Sequence, residues 1–86
     1  MDKVIYVSIL DRHIQAGVRK SETLCPVALC LREKYPGHSI VVEQTVTTIE
    51  DDVFLMSDRL IDQVSLFDEG GVFRPGRYRL TIEPRE

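Results

Sequence analysis

Two dipeptides, Cys25-Pro26 and Pro36-Gly37, bracket the segment that most restricts how this chain can fold. Proline in the first turn of a helix has its φ preset and lacks only an N–H that would be unpaired there. Behind it, Val27, Cys30 and Leu31 fall at i, i+3 and i+4, one apolar stripe on a helix. Lys34 lies where a cation suits the helix dipole, and Pro36-Gly37 stops the run. The spacing predicts a helix that starts at Pro26 and runs through residues 27–35, with Val27, Cys30 and Leu31 facing a core.

The flanking segments read as strands and shorter helices. Residues 3–9 (KVIYVSI) are β-branched and aromatic, and apolar on both faces at Val4 to Val7. That pattern fits a central strand, or a strand whose second face meets another subunit. Asp11 is placed to cap a short helix over residues 12–16, with Gly17 at its C′ position. Residues 39–42 and 45–49 read as a hairpin or one long bent strand, followed by a turn at Glu50-Asp51-Asp52 and a short strand over 53–56. Ser57 caps a helix over 58–67 with Leu60, Ile61, Val64 and Phe67 on one face, and Gly70-Gly71 ends it. Residues 78–82 alternate Tyr78, Leu80 and Ile82 against Arg79 and Thr81, a half-buried last strand. The expected fold class is α+β: one small domain over residues 1–86, a mostly antiparallel sheet of four to five strands with two or three helices packed on it.

Length and charge narrow the possible functions. Eighty-six residues make one domain, and a chain this short buries only about 60–65% of its unfolded surface. With 43% apolar and 29% charged residues the composition is that of a globular protein. No apolar run approaches the roughly 18 residues of a membrane span, and residues 1–7 lack the layout of a secretory signal, so no membrane association is expected. Eleven basic against fourteen acidic residues leave a net charge of −3. That balance argues against generic nucleic-acid binding and is too mild for a DNA mimic. Cys25 and Cys30 are five positions apart, about 140° around a helix, and cannot bond to each other there. His13 and His38 are not at the spacing of a zinc-ligand pair, so no metal is expected, and no motif calls for a cofactor.

The strongest candidate site is the run RKSETLCPV over residues 19–27. Arg19 and Lys20, with the hydroxyls of Ser21 and Thr23, precede a helix N-terminus whose free N–H groups attract anions. The plainer reading of the same residues is a solvated loop with capping hydroxyls, and no glycine-rich phosphate loop accompanies them. A second candidate is Arg74-Pro75-Gly76-Arg77-Tyr78-Arg79, in which Arg77 with Tyr78 pairs a phosphate-binding cation with a stacking ring. If Tyr78 points inward beside Leu80, that ring belongs to the core instead. The carboxylate runs Glu50-Asp51-Asp52 and Asp68-Glu69 sit beside turns, where general acid–base work is not expected. Cys25 at a helix start could be an activated thiolate with His13 as its base, although nothing in the spacing requires it. No nucleophile, base and orienting group assemble from the sequence, so an enzyme is not expected.

The stretch HIQAGVRKSETLCPVALCLREKYPG, then LIDQVSLFDEGG and the closing RPGRYRLTI, resembles a group of small uncharacterised accessory proteins of tailed bacteriophages. The resemblance spans residues 13–82, and its most specific piece is Cys25-Pro26-Val27-Ala28-Leu29. The arginine-rich segment at residues 74–79 departs from the more aromatic, less basic segment of that group. The resemblance implies a phage accessory protein acting in the cytoplasm of a bacterial host rather than a virion part. Some small phage proteins of this kind are oligomeric sponges that sequester nucleotide immune signals, and others cover a defence protein, as anti-CRISPRs do. The expected function is therefore a non-enzymatic homo-oligomer holding a phosphorylated nucleotide signal through Arg19, Lys20, Ser21, Thr23, Arg77 and Tyr78. The alternative is a protein-interaction inhibitor that binds a host defence protein through its acidic turns.

Overall fold

A computed structural model describes residues 3–83. The elements run β1 (Val4–Ile9), α1 (Asp11–Ala16), α2 (Pro26–Lys34), β2 (Ile40–Val42), β3 (Val46–Ile49), β4 (Asp52–Met56), α3 (Asp58–Asp68) and β5 (Gly76–Ile82). The five strands form one antiparallel sheet in the order β1-β5-β4-β3-β2. This is the expected α+β domain. The stretch from Ile40 to Ile49 is a hairpin, closed by the Glu43 N–H donating to the Val46 carbonyl at 2.8 Å.

Helices α2 and α3 pack on one face of the sheet, and α1 packs against α2. That face carries Ile5, Val7 and Ile9 of β1, Tyr78 and Leu80 of β5, Phe54 and Met56 of β4, Ile49 of β3, and Ile40 and Val42 of β2. Against them pack Val27, Cys30 and Leu31 of α2, the expected stripe, and Leu60, Val64 and Phe67 of α3. Among the described residues no element covers the other face, where Val4, Tyr6 and Leu55 are exposed.

β1 is an edge strand rather than a central one, and its second face looks outward: Val4, Tyr6 and Ser8 are exposed between buried Ile5, Val7 and Ile9. The curl of the sheet brings both edge strands, β1 and β2, against α2. The edge of β1 is then covered from the helix, where Lys34 Nζ donates to the Tyr6 carbonyl at 2.7 Å and the Cys30 thiol to the Ser8 carbonyl at 3.3 Å. At the other edge the Val42 N–H donates to the Glu22 carbonyl at 2.7 Å. Both edges are thus blunted against strand addition.

Helix ends follow local chemistry with two departures. Ser57 caps α3, its Oγ accepting from the Leu60 N–H. The far end closes in a full Schellman arrangement: Gly70, at φ 99°, donates to the Phe67 carbonyl and Gly71 to that of Leu66. In α1 the N-cap is Leu10, not Asp11, because the His13 side chain reaches back and accepts the Leu10 N–H at 2.9 Å. Gly17 has an ordinary φ of −67°, so it is not a left-handed C′ residue. A glycine is needed there for space: the Pro26 ring lies 2.7 Å from the point that a Cβ would occupy.

Candidate functional site

The six residues expected to bind a ligand do not form one site: four of them line two surfaces that share no residue. Lys20 and Ser21 line a groove of about 950 Å³ between α3, the loop before α2 and the β2–β3 turn. Arg77 and Tyr78 line a cleft of about 330 Å³ where β1 and β5 meet the start of α3.

The loop before α2 is built for folding more than for an anion. Arg19 turns its guanidinium onto the C-terminus of α3, donating to the carbonyls of Phe67 and Gly71 and lying 4.4 Å from the Phe67 ring centroid. A cation at a helix C-terminus satisfies carbonyls that the helix itself leaves open. Lys20 adopts φ 61° and donates its backbone N–H to the Asp68 carboxylate at 2.8 Å. Ser21 Oγ accepts the Leu24 N–H at 3.0 Å, a local turn. Thr23 is exposed and outside the groove. The groove also presents Glu22, Glu43, Asp68 and Glu69 against one cation among the described residues, Lys20. Those carboxylates come from three separate segments, which is why the local sequence around Lys20 reads as basic. Their field repels a phosphate.

The cleft has the opposite character. Its walls are Tyr6, Ser57, Arg59, Arg77, Tyr78 and Arg79, three guanidiniums and, among the described residues, no carboxylate. Tyr78 is only 2% exposed, its hydroxyl donating to the Arg74 carbonyl at 2.6 Å, so it is core rather than a stacking ring. Burial pushes its phenol pKa up. Arg59 lies 4.6 Å from the Tyr78 centroid and also donates to the Arg77 carbonyl at 3.3 Å. The exposed ring is Tyr6, 43% accessible, with Arg77 over it at 4.0 Å and Arg79 paired across the strands. Tyr6, Arg59 and Arg79 are not among the ligand residues expected from sequence. The alternation of Ile5, Val7 and Ile9 already implies that Tyr6 points out, whereas nothing local signals that Arg59 meets β5.

Ser57 places the N-terminus of α3 at the same cleft, where free N–H groups and the positive dipole end favour an anion. Asp58 in that first turn offsets part of the dipole but does not line the cleft.

Neither thiol is set up as a nucleophile. Cys25 and Cys30 are buried and free, and burial raises the pKa of both. His13 is fully engaged elsewhere: Nδ1 accepts from Leu10, so Nε2 carries the proton toward Glu33 Oε2 at 2.8 Å. Arg12 bonds the other Glu33 oxygen. Among the described residues no three His, Cys, Asp or Glu side chains converge as a metal site would require. No helix of the described residues is long and apolar enough to cross a membrane.

Comparison with protein-family models, with characterised proteins and with solved structures finds no match to this chain.

Proposed function

We propose that this protein is a non-enzymatic binder that sequesters a phosphorylated nucleotide, with the cleft around Tyr6, Arg59, Arg77 and Arg79 as its site. The observation that carries the reading is charge segregation: in a chain of net charge −3, three arginines and, among the described residues, no carboxylate line a cleft around one exposed aromatic ring. Planar guanidiniums bind phosphate oxygens in bidentate fashion, and the Arg77 guanidinium held over the Tyr6 ring offers a flat cationic surface for a base. Relative to the residues expected from sequence, Arg77 stays in the site, Tyr6 takes the role given to Tyr78, and Arg59 and Arg79 replace Arg19. In the phage setting that the sequence resemblance suggests, stoichiometric capture of a nucleotide immune signal in the host cytoplasm would counter defence without turnover. Two copies meeting through the uncovered sheet face would bring arginines from both chains to the ligand.

Calorimetric titration with cyclic dinucleotides and ADP-ribose derivatives tests this. Wild type is expected to bind at least one class. Arg77→Ala and Arg79→Ala should each weaken binding about tenfold or more, the effect of losing one hydrogen bond to a charged group. Lys20→Ala, in the acidic groove, should leave it unchanged. Wild-type affinity in both arginine variants, or no binding of any compound, would overturn the assignment.

A further inference from the structure

The larger groove invites a different occupant, and its charge says which. We propose that it docks a basic peptide segment of a partner protein, a lysine- or arginine-rich stretch carrying apolar side chains between its charges. The floor is apolar, formed by Cys25 at the start of α2, Val42 of β2, and Ile61 and Val64 of α3. The rim is acidic, with Glu22 on the loop before α2, Glu43 on the β2–β3 turn, and Asp68 and Glu69 at the end of α3.

Two further observations select a peptide over a single cation. First, the carboxylates stand apart: among the described residues no three acidic, histidine or cysteine side chains converge on one point. A dispersed rim suits several positive charges held along a backbone, each meeting its own carboxylate. Second, a volume of about 950 Å³ is nearly three times that of the arginine cleft, at about 330 Å³, and its floor includes the partly exposed Ile61 beside the buried Cys25, Val42 and Val64. Charge complementarity then sets encounter rate and register, while apolar side chains reaching the floor supply residence time. This surface is separate from the nucleotide cleft, and the proposal stands or falls independently of it.

Fluorescence anisotropy with a labelled ten-residue peptide of alternating lysine and leucine reads out the groove. The wild type should bind it, and a serine-for-leucine version should bind at least about tenfold more weakly, the loss of roughly one buried apolar anchor. Glu43→Lys combined with Glu69→Lys should weaken binding by about thirtyfold or more, corresponding to about 2 kcal/mol. The pair Asp62→Lys and Glu83→Lys changes net charge equally on exposed positions outside the groove, and should cost about threefold or less. Glu43→Gln with Glu69→Gln serves as a milder variant should the reversals perturb folding, which circular dichroism monitors. Equal losses in the two reversed pairs would reduce the effect to overall charge and overturn the proposal. So would undiminished binding of the serine peptide, displacement by spermine at equimolar concentration, which would mark a small-polycation site, or self-association through the groove in place of peptide binding.

Discussion

Thr47 sits on the helix-facing side of β3, fully buried, and its hydroxyl has no hydrogen-bond partner among the described residues. An unpaired buried hydroxyl costs about 1–3 kcal/mol, and valine would keep the β-branched shape without it. Thr47→Val is therefore expected to raise stability by about 1 kcal/mol, read as an upward shift of the urea midpoint at unchanged slope. A fall in the midpoint would mean that the hydroxyl is bonded after all. The same scale shows where residue identity alone misleads. Tyr6 and Tyr78 look alike in sequence, yet one is an exposed ring under Arg77 and the other is core closed by the Arg74 carbonyl. Strand alternation separates them once each strand's inner face is known, as Ile5-Val7-Ile9 and Leu80 make it. Arg19 is the opposite case: a loop arginine by its neighbours, it is a helix-end partner only because Phe67 and Gly71, far along the chain, come to it.

Elements are the most legible level, since each is written in contiguous residues. Caps, prolines and periodicity place the three helices and the strands in their observed order, with ends shifted by a residue or two, and leave open only whether residues 39–49 form a hairpin or one bent strand. What local pattern does not carry is which elements become neighbours. The short α1 illustrates this: six residues are too few to hold as a free helix, and it is tied to α2 through Glu33, which bonds both Arg12 and His13. The Arg12 hydrogen bond first, then that of His13, hold the Glu33 carboxyl below its ordinary value of 4.5. A carboxyl whose pKa is depressed by folding adds stability that is present above its unfolded pKa and lost as pH falls through its folded pKa. Wild type should thus lose stability between about pH 5 and about pH 3 by more than Glu33→Gln does, because the amide cannot titrate. Urea midpoints for both proteins across that window check this. Parallel curves would show that the bridge contributes nothing, as exposed pairs often do.

On the scale of the whole molecule, the sheet has one face under helices, both edges covered, and one face left bare by the described residues. That leaves the bare face as the surface through which copies could associate. Its register aligns Val4, Thr81, Leu55 and Val46 in a row across four strands, with Val4 and Leu55 exposed, and Tyr6 and Arg79 lie alongside as the next pair. Association here would bury the row and close over the arginine cleft, so assembly and ligand capture would share one surface. Strand addition at β1, by contrast, would have to displace Lys34 from the Tyr6 carbonyl and Cys30 from that of Ser8. Fully burying a leucine is worth about 1.5–3 kcal/mol, and a charge in its place reverses that gain. Sedimentation velocity is therefore expected to show the wild type as an oligomer, Leu55→Lys as a monomer, and Lys34→Ala assembled as the wild type is. A monomeric wild type would remove self-association from the proposed function, and an assembled Leu55→Lys would move the interface off the sheet. Either result would leave the cleft's affinity for a single nucleotide to be judged in one chain alone, where Arg59, Arg77 and Arg79 already stand together.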